Sequence, residues 1–306
     1  MLYSAYREQK LYKHLETAEN ADFIRSKLTG MGLASFIAIG SVLPRREDDL
    51  APMIDAVPFD CDDSLKVTIE VPNGEPIVGM GIRKGFTAVT GPSGSGKSVL
   101  ADAVFSGIYD HIPGDGREYV VSDPDAVYVM AEAGRYQGDV RLSGPSSETV
   151  SVDEAVEAGS HLIVVDEEYS TPCFVRRAFM SPDDAVVPLS EVGHSLGTSG
   201  ISVLMITGDE SAVRLADSVL LMDGFRVSSI GVESSGTPRD FRMPVARYPI
   251  AKSVSFEKAR KDVSTSALAI RTVEIGEYKV HVPVAGFFDQ GQTCLLYTSD
   301  AADDLT

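Results

Sequence analysis

Apolar positions recur along this chain with a period that changes, and each change marks an element. Between Ala5 and Leu28, the residues Leu11, Leu15, Phe23, Ile24 and Leu28 fall at roughly helical intervals. The pattern is interrupted near Asn20 and stopped by Gly30 and Gly32, which predicts two short helices. Phe36–Val42 is a mostly apolar run closed by Pro44, the signature of a buried strand, and the acidic stretch Glu47–Leu50 reads as a loop. From Leu65 to Val71 the apolar residues alternate with Lys, Thr and Glu, and Asn73-Gly74 follows as a turn, so a strand entering a hairpin is expected.

Further on, strands and helices take turns. Phe86–Thr90 predicts a short apolar strand, Gly91–Gly96 a glycine-rich loop, and Lys97–Ser106 a helix with Val99, Leu100, Ala103 and Val104 on its buried side. Tyr119–Ser122 and Ala126–Met130 read as strands and Val152–Ala158 as a helix. Leu162–Val165 reads as a buried parallel strand ending in Asp166. Ile201–Ile206 is a second such strand, leading through Thr207-Gly208-Asp209 into a helix over Ser211–Ala216. Val219–Met222, a turn at Asp223-Gly224 and Arg226–Ile230 complete the series. This alternation predicts an α/β fold with a mostly parallel sheet. Past Gly236 the chain is polar and proline-punctuated, then offers a hairpin-like pair at Leu268–Val273 and Tyr278–Val282 around Gly276.

Composition narrows the class. The 306 residues, 43% hydrophobic and 24% charged, suit one large domain or two small ones with a buried core. No stretch approaches the ~18 apolar residues of a membrane span. The first twenty residues carry Arg7, Glu8, Lys10, Lys13 and Glu16 where a signal peptide needs an apolar centre, so a cytoplasmic location and no membrane partner are expected. Cys61, Cys173 and Cys294 lie far apart without metal-ligand spacing, which indicates neither a disulfide framework nor a zinc site. A net charge of −18 argues against a generally basic nucleic-acid surface, although Lys252, Lys258, Arg260 and Lys261 leave one local basic stretch. Residues 294–306 resemble the translated read-through of a sequencing adapter, the other reading being a native acidic tail; they are left out of the fold reasoning.

The segment Gly91-Pro92-Ser93-Gly94-Ser95-Gly96-Lys97-Ser98, with Val99 next to it counted among the nucleotide-binding residues, matches GxxxxGK[ST] in full and runs from a predicted strand into a predicted helix. Glycines let the backbone curl so that successive amides point at phosphate oxygens, and the helix adds its positive end. Lys97 suits the charge of β- and γ-phosphates and the Ser98 hydroxyl suits Mg²⁺. A metal-bound triphosphate such as ATP also needs a carboxylate at the end of a neighbouring strand, which Asp166 supplies. Glu167, next in the chain, is placed to activate water as a general base, with Glu168 a loop charge.

The run Gly107-Ile108-Tyr109-Asp110-His111-Ile112-Pro113-Gly114-Asp115-Gly116-Arg117-Glu118 resembles a motif of the ABC-class ATPases, a poorly characterised family of bacteria and some eukaryotes. Ile39-Gly40-Ser41-Val42-Leu43-Pro44-Arg45 and Gly79-Met80-Gly81-Ile82 resemble it more weakly. The resemblance extends from about residue 25 to the adapter-like tail, and family members are longer at both ends. It therefore implies a fragment: an N-terminal remnant at 1–60, a P-loop core at 61–232 and an incomplete C-terminal region at 233–293. It also implies an Mg²⁺-dependent ATPase that closes as a head-to-tail homodimer, each ATP lying between the P-loop of one copy and a signature string of the other. Leu142-Ser143-Gly144-Pro145-Ser146 stands where that string belongs, which makes Ser143 and Gly144 nucleotide ligands.

Departures from the wider ABC pattern are visible. Ser98 and Ser143 are only about 45 positions apart, too few for the helical subdomain of transporter ATPases. Thr207-Gly208-Asp209 stands where a switch histidine is expected, and Gln137 is the candidate Q-loop residue. His111, His161 and His194 read as structural, and Asp115 and Arg117 as turn and ion-pair residues, with a regulatory or substrate role as the alternative. Two other functions stay open: a nucleotide-gated module that grips RNA or DNA, and a RecA-like or packaging NTPase that forms rings.

Overall fold

The computed structural model describes the backbone of residues 2–46, 50–131, 133–137, 140–143, 145–177, 187–244, 265–269, 272–275 and 278–281, and side chains over 8–46, 50–131, 147–177 and 187–244. The chain divides into two compact units, Met1–Pro244 and Val245–Thr306.

The first unit opens with α1 (Leu2–Leu28), a single 27-residue helix where two were expected. Asn20 does not break it. The side chain is 3% exposed. It turns inward to donate to the Asn73 carbonyl at 2.8 Å and to accept from the Asn73 amide at 2.9 Å, so a polar residue in mid-helix is spent on a distant turn. After a 3₁₀ turn at Thr29–Met31 come β1 (Leu33–Ala38), β2 (Asp60–Cys61), β3 (Lys66–Ile69), β4 (Ile77–Arg83), β5 (Phe86–Thr90) and α2 (Lys97–Ser106). They are followed by β6 (Val120–Ser122), β7 (Ala126–Val129), β8 (Ala133–Gln137), β9 (Val140–Ser143), α3 (Pro145–Ala158) and β10 (Leu162–Asp166). The unit ends with α4 (Pro172–Val175), α5 (Leu189–Thr198), β11 (Ser202–Ile206), α6 (Glu210–Val213), β12 (Ser218–Asp223) and β13 (Arg226–Ser229). The β8–β9 hairpin, α4 and α5 are elements the periodicity did not reveal, and α3 is twice as long as its apolar spacing predicted.

Two sheets result. The larger has the order β2-β13-β12-β5-β11-β10-β7, parallel from β12 to β7, with β13 antiparallel to β12. The smaller is antiparallel, in the order β3-β4-β1-β6. The central strands β5, β10 and β11 carry apolar residues on both faces because both are covered. Val89, Val164 and Leu204 face α2, whose Leu100, Ala103 and Val104 also meet Ile37 and Met80 of the small sheet. Ile163, Val165, Val203 and Met205 face the other way, onto Val152 of α3 and Leu189, Val192 and Leu196 of α5. α2 therefore lies between the sheets, while Ala21, Ile24 and Leu28 of α1 close the far side of the small one over Phe36.

This arrangement redraws the expected domain boundaries. β1, from the stretch read as an N-terminal remnant, is a central strand between β4 and β6, and β2 pairs with β13. Residues 1–60 are thus part of the same unit as the P-loop region, and the division falls at Pro244. In the second unit the expected pair is three strands, β14 (Thr265–Ala269), β15 (Thr272–Ile275) and β16 (Tyr278–His281), in one antiparallel sheet. Lys252–Lys261 and the adapter-like tail lie outside the described residues. Among the described residues no helix is long and apolar enough to cross a membrane.

α5 packs against the start of β5 through glycines. A Cβ on Gly197 would lie 2.9 Å from the Gly85 Cα, against backbone that has nowhere to go. Gly197→Ala is expected to destabilise the protein by about 1–3 kcal/mol, seen as a lower urea midpoint. Gly30→Ala, with nothing within 4 Å of its new Cβ, should leave the midpoint nearly unchanged.

Candidate functional site

Parallel register brings the site together. Asp166 of β10 pairs with Ile206 of β11, and Ile206 with Val89 of β5. The loops leaving these three strands therefore start level at one edge of the sheet, the carboxyl edge where open α/β sheets hold their ligands. They and the turn between β12 and β13 enclose a cleft of about 700 Å³.

The loop after β5 curls tightly because its glycines permit it. Gly91 has φ +140° and runs so close to β12 that a Cβ would sit 2.0 Å from the Met222 carbonyl oxygen. Gly96, at φ +96°, lies under Met222 and Phe225. The Lys97 ammonium donates back to the carbonyls of Gly91 at 2.9 Å and Pro92 at 2.7 Å, so Pro92 fixes the loop from behind and is not itself part of the cleft lining. Gly91, Ser93, Gly94, Gly96, Lys97, Ser98 and Val99 do line it. Ser95 is buried, its hydroxyl without a hydrogen-bond partner among the described residues.

Opposite the loop stand three consecutive carboxylates. Asp166 is 2% exposed. Its Oδ1 accepts from the Glu168 amide at 2.9 Å, while Oδ2 is buried with no partner among the described residues. Burial pushes the Asp166 carboxyl above its ordinary range; the nearby Ser98 hydroxyl and the Glu168 amide work against that, and the Glu168 charge adds to it. The Ser98 hydroxyl donates to Glu168 Oε2 at 3.3 Å. Glu167 is held by the neighbouring strand end: its Oε2 accepts from the Thr207 hydroxyl at 2.7 Å and the Gly208 amide at 2.9 Å. Its Oε1 lies 3.5 Å from an Arg176 nitrogen, and Arg176 also pairs with Asp209 at 3.0 Å. Thr207 thus engages Glu167 from the position where a histidine was expected. An orphaned buried carboxylate oxygen beside a hydroxyl and a further carboxylate is an all-oxygen donor set, which fits Mg²⁺.

Phe225 forms the remaining wall. It is a non-glycine residue at φ +66°, 43% exposed, on the tight turn after Gly224. One side of it lines the cleft and the other an apolar pocket of about 250 Å³ that also touches Gly96 and Val99 and is walled across by Leu43, Pro44 and Phe59.

Of the residues named from sequence, Ser143 ends β9 just before α3, and Gly144 lies outside the described residues. Gln137 closes β8. The histidines are occupied structurally: His111 pairs with Asp115 at 2.7 Å, His194 with Asp217 at 2.5 Å, and His161 lies 3.4–3.5 Å from Asp125 and Asp123. Arg176, Thr207, Phe225 and the Leu43–Phe59 wall were missed. Thr207 and Phe225 each follow a predicted strand or turn directly, a signal that position alone offered; Arg176 carried none.

Because the Asp166 pKa is raised in the fold, its charge opposes folding at neutral pH, and the opposition disappears as pH falls below about 3.8, where the group is protonated in both states. Asp166→Asn is therefore expected to stabilise the metal-free protein by about 0.5–2 kcal/mol at pH 7. Urea titrations at pH 7 and pH 3.5 check this; a gain that persists unchanged at the lower pH would contradict it.

A family model described as the P-loop domain of ABC_ATPase matches residues 7–142 and 139–241. The uncharacterized protein MJ1628 of Methanocaldococcus jannaschii is 34% identical over 112 residues, 34% of this chain. The match spans only a quarter of that relative's length (25%). Similar solved structures include cbiO1 from Clostridium perfringens, part of the ABC transporter complex cbiONQ (13% identity, 63% of this chain and 87% of that one, TM-score 0.34). A bacterial Atm1-family ABC exporter with ATP bound is 13% identical (64% and 38% covered, TM-score 0.37). The ATP-binding cassette MJ0796, a dimer bound to ADP and Pi, is 15% identical (58% and 97% covered, TM-score 0.30). With its glycine loop, its strand-end carboxylates and a family match that runs through nearly all of the first unit, the chain belongs to the ABC_ATPase family, a P-loop NTPase with an α/β core and a mostly parallel sheet.

Proposed function

We propose that this chain binds Mg·ATP in the P-loop cleft and hydrolyses it, and that two copies close head to tail around two nucleotides. The observation that carries the reading is the meeting of Asp166 Oδ2, buried and without a partner among the described residues, with an oriented Glu167 directly across from the glycine loop. Backbone amides from Gly91 to Val99 receive the phosphates, helped by the N-terminal end of α2. Lys97 neutralises β- and γ-phosphate charge, exchanging its loop carbonyls for phosphate oxygens. Ser98 and Asp166 hold Mg²⁺, which when bound draws charge from the phosphate oxygens.

Glu167 is the general base. Thr207 and Gly208 tie down one carboxylate oxygen, which fixes the rotamer, and Oε1, 3.5 Å from an Arg176 nitrogen, takes a proton from the attacking water. The base of the nucleotide enters the apolar pocket beside Gly96 and Val99, stacked on Phe225. Ser143 and Gly144, at the head of α3, complete the site of a second copy, where helix amides meet the γ-phosphate.

Glu167→Gln keeps the shape and removes the basicity. Turnover at saturating Mg·ATP should fall by about 10²–10⁴-fold while ATP binding is retained, and light scattering should show an ATP-bound dimer accumulating. Unchanged turnover would remove Glu167 as the base, a monomer with bound ATP would remove the sandwich, and loss of binding in the parent would remove the reading as a whole.

A further inference from the structure

Two stretches that stand out in the sequence, Ile39–Arg45 and Gly107–Glu118, contribute only the pocket wall Leu43-Pro44 to the site described above. In the fold they are each other's partners. The Val42 amide donates to the Gly116 carbonyl at 2.7 Å. Arg45 donates to the Asp115 carbonyl and pairs with its carboxylate, both at 2.7 Å. Gly116 sits at φ +81° with the space for a Cβ already filled, 2.8 Å from Val42 Cβ, so the two stretches touch without slack.

Arg117 extends this contact to the P-loop helix. It is a guanidinium 1% exposed, deep enough that each donor needs a partner. Nε donates to the Leu43 carbonyl at 2.9 Å, and Nη2 reaches the same oxygen. The opposite side of the fork grips α2, with Nη1 to the Ser106 hydroxyl at 2.8 Å and Nη2 to Asp102 at 3.1 Å. Asp102 lies three positions after Val99, close to one helical turn, and so on the same face of α2. Leu43 and Val99 both line the apolar pocket. The planar fork thus ties the segment that carries one lining residue to the helix that carries the other. A lysine in its place offers a single point of attachment.

We infer that the Arg45–Asp115–Arg117 cluster is a brace that sets the width of the purine-base pocket, which makes these three residues positioning groups for the base half of the nucleotide. This rests on the nucleotide reading above and gives it a specificity element: the phosphates are gripped by the glycine loop, the base by walls whose spacing the brace holds. None of the three lines the phosphate cleft or the apolar pocket itself; the brace reaches the pocket through the carbonyl of Leu43, a residue that lines the pocket and not the cleft.

The test compares Mg·ATP with Mg·tripolyphosphate, which presents the same phosphates without base or sugar, by titration calorimetry on the full chain. In Arg45→Gln and Asp115→Asn, which disturb the half-buried end of the brace, ATP binding should weaken roughly tenfold and tripolyphosphate binding should change less than twofold. Arg45→Lys, which keeps a cation beside Asp115, should recover most of the ATP affinity. Equal weakening of both ligands in a variant that keeps its circular dichroism spectrum would overturn the proposal, since the cluster would then only support α2 in general. So would unchanged ATP binding in both variants. Arg117→Met is the stronger perturbation; if it unfolds, the two outer variants still decide the matter. A parent chain that binds neither ligand would instead overturn the nucleotide reading, and one that binds tripolyphosphate as tightly as ATP would overturn the base pocket.

Discussion

Everything in the site depends on the hydrogen-bonded ladder that joins β10, β11 and β5 in parallel. Its register puts Asp166, Ile206 and Val89 on one level, so the loops that follow leave the sheet side by side. A shift of one residue in any of these strands would exchange the side chains on its two faces. Val164, Leu204 and Val89 face α2 while Ile163, Val165, Val203 and Met205 face α3 and α5, so the shift would have to refit both packed layers at once. The chemistry at the sheet edge is thus held by the packing of residues that take no part in it.

The same edge holds two neighbouring carboxylates in different surroundings. Asp166 and Glu167 are adjacent in sequence but treated differently. Asp166 is buried with one oxygen left without a partner among the described residues, while Glu167 is partly exposed and steered by Thr207 and Gly208. The proposed division of labour, metal binding for one and proton transfer for the other, rests on this difference in environment. Where the resemblance led a histidine to be expected, the Thr207 hydroxyl contacts the Glu167 carboxylate and orients it.

α2 connects the glycine-loop cleft with the apolar pocket beside it. Its first residues close the glycine loop, and its second half, through Asp102 and Ser106, is fastened by Arg117 to the Leu43 carbonyl. The small antiparallel sheet supports this from outside, since β1 leads directly into the Ile39–Arg45 stretch and β6 follows the Gly107–Glu118 stretch. The N-terminal sixty residues, which sequence alone set apart as a remnant, are therefore structural neighbours of the P-loop.

Sequence by itself determined the elements whose cause is local. Strand β5, its glycine loop and α2 were readable to the residue, because glycine spacing, an unbroken apolar run and a helical stripe are properties of a few consecutive positions. The alternation of strands and helices likewise specified the parallel sheet, and Asp166 and Glu167 stood out as charges at the end of an apolar run. Tertiary structure alone decided the partnerships. Thr207 reaches Glu167 across 40 positions, Asn20 reaches Asn73 across 53 and Arg117 reaches Leu43 across 74. Each of these is a polar group that must find a partner once burial removes water, and the partner is whichever group the packed sheets bring within 3 Å, a distance on which periodicity along the chain carries no information.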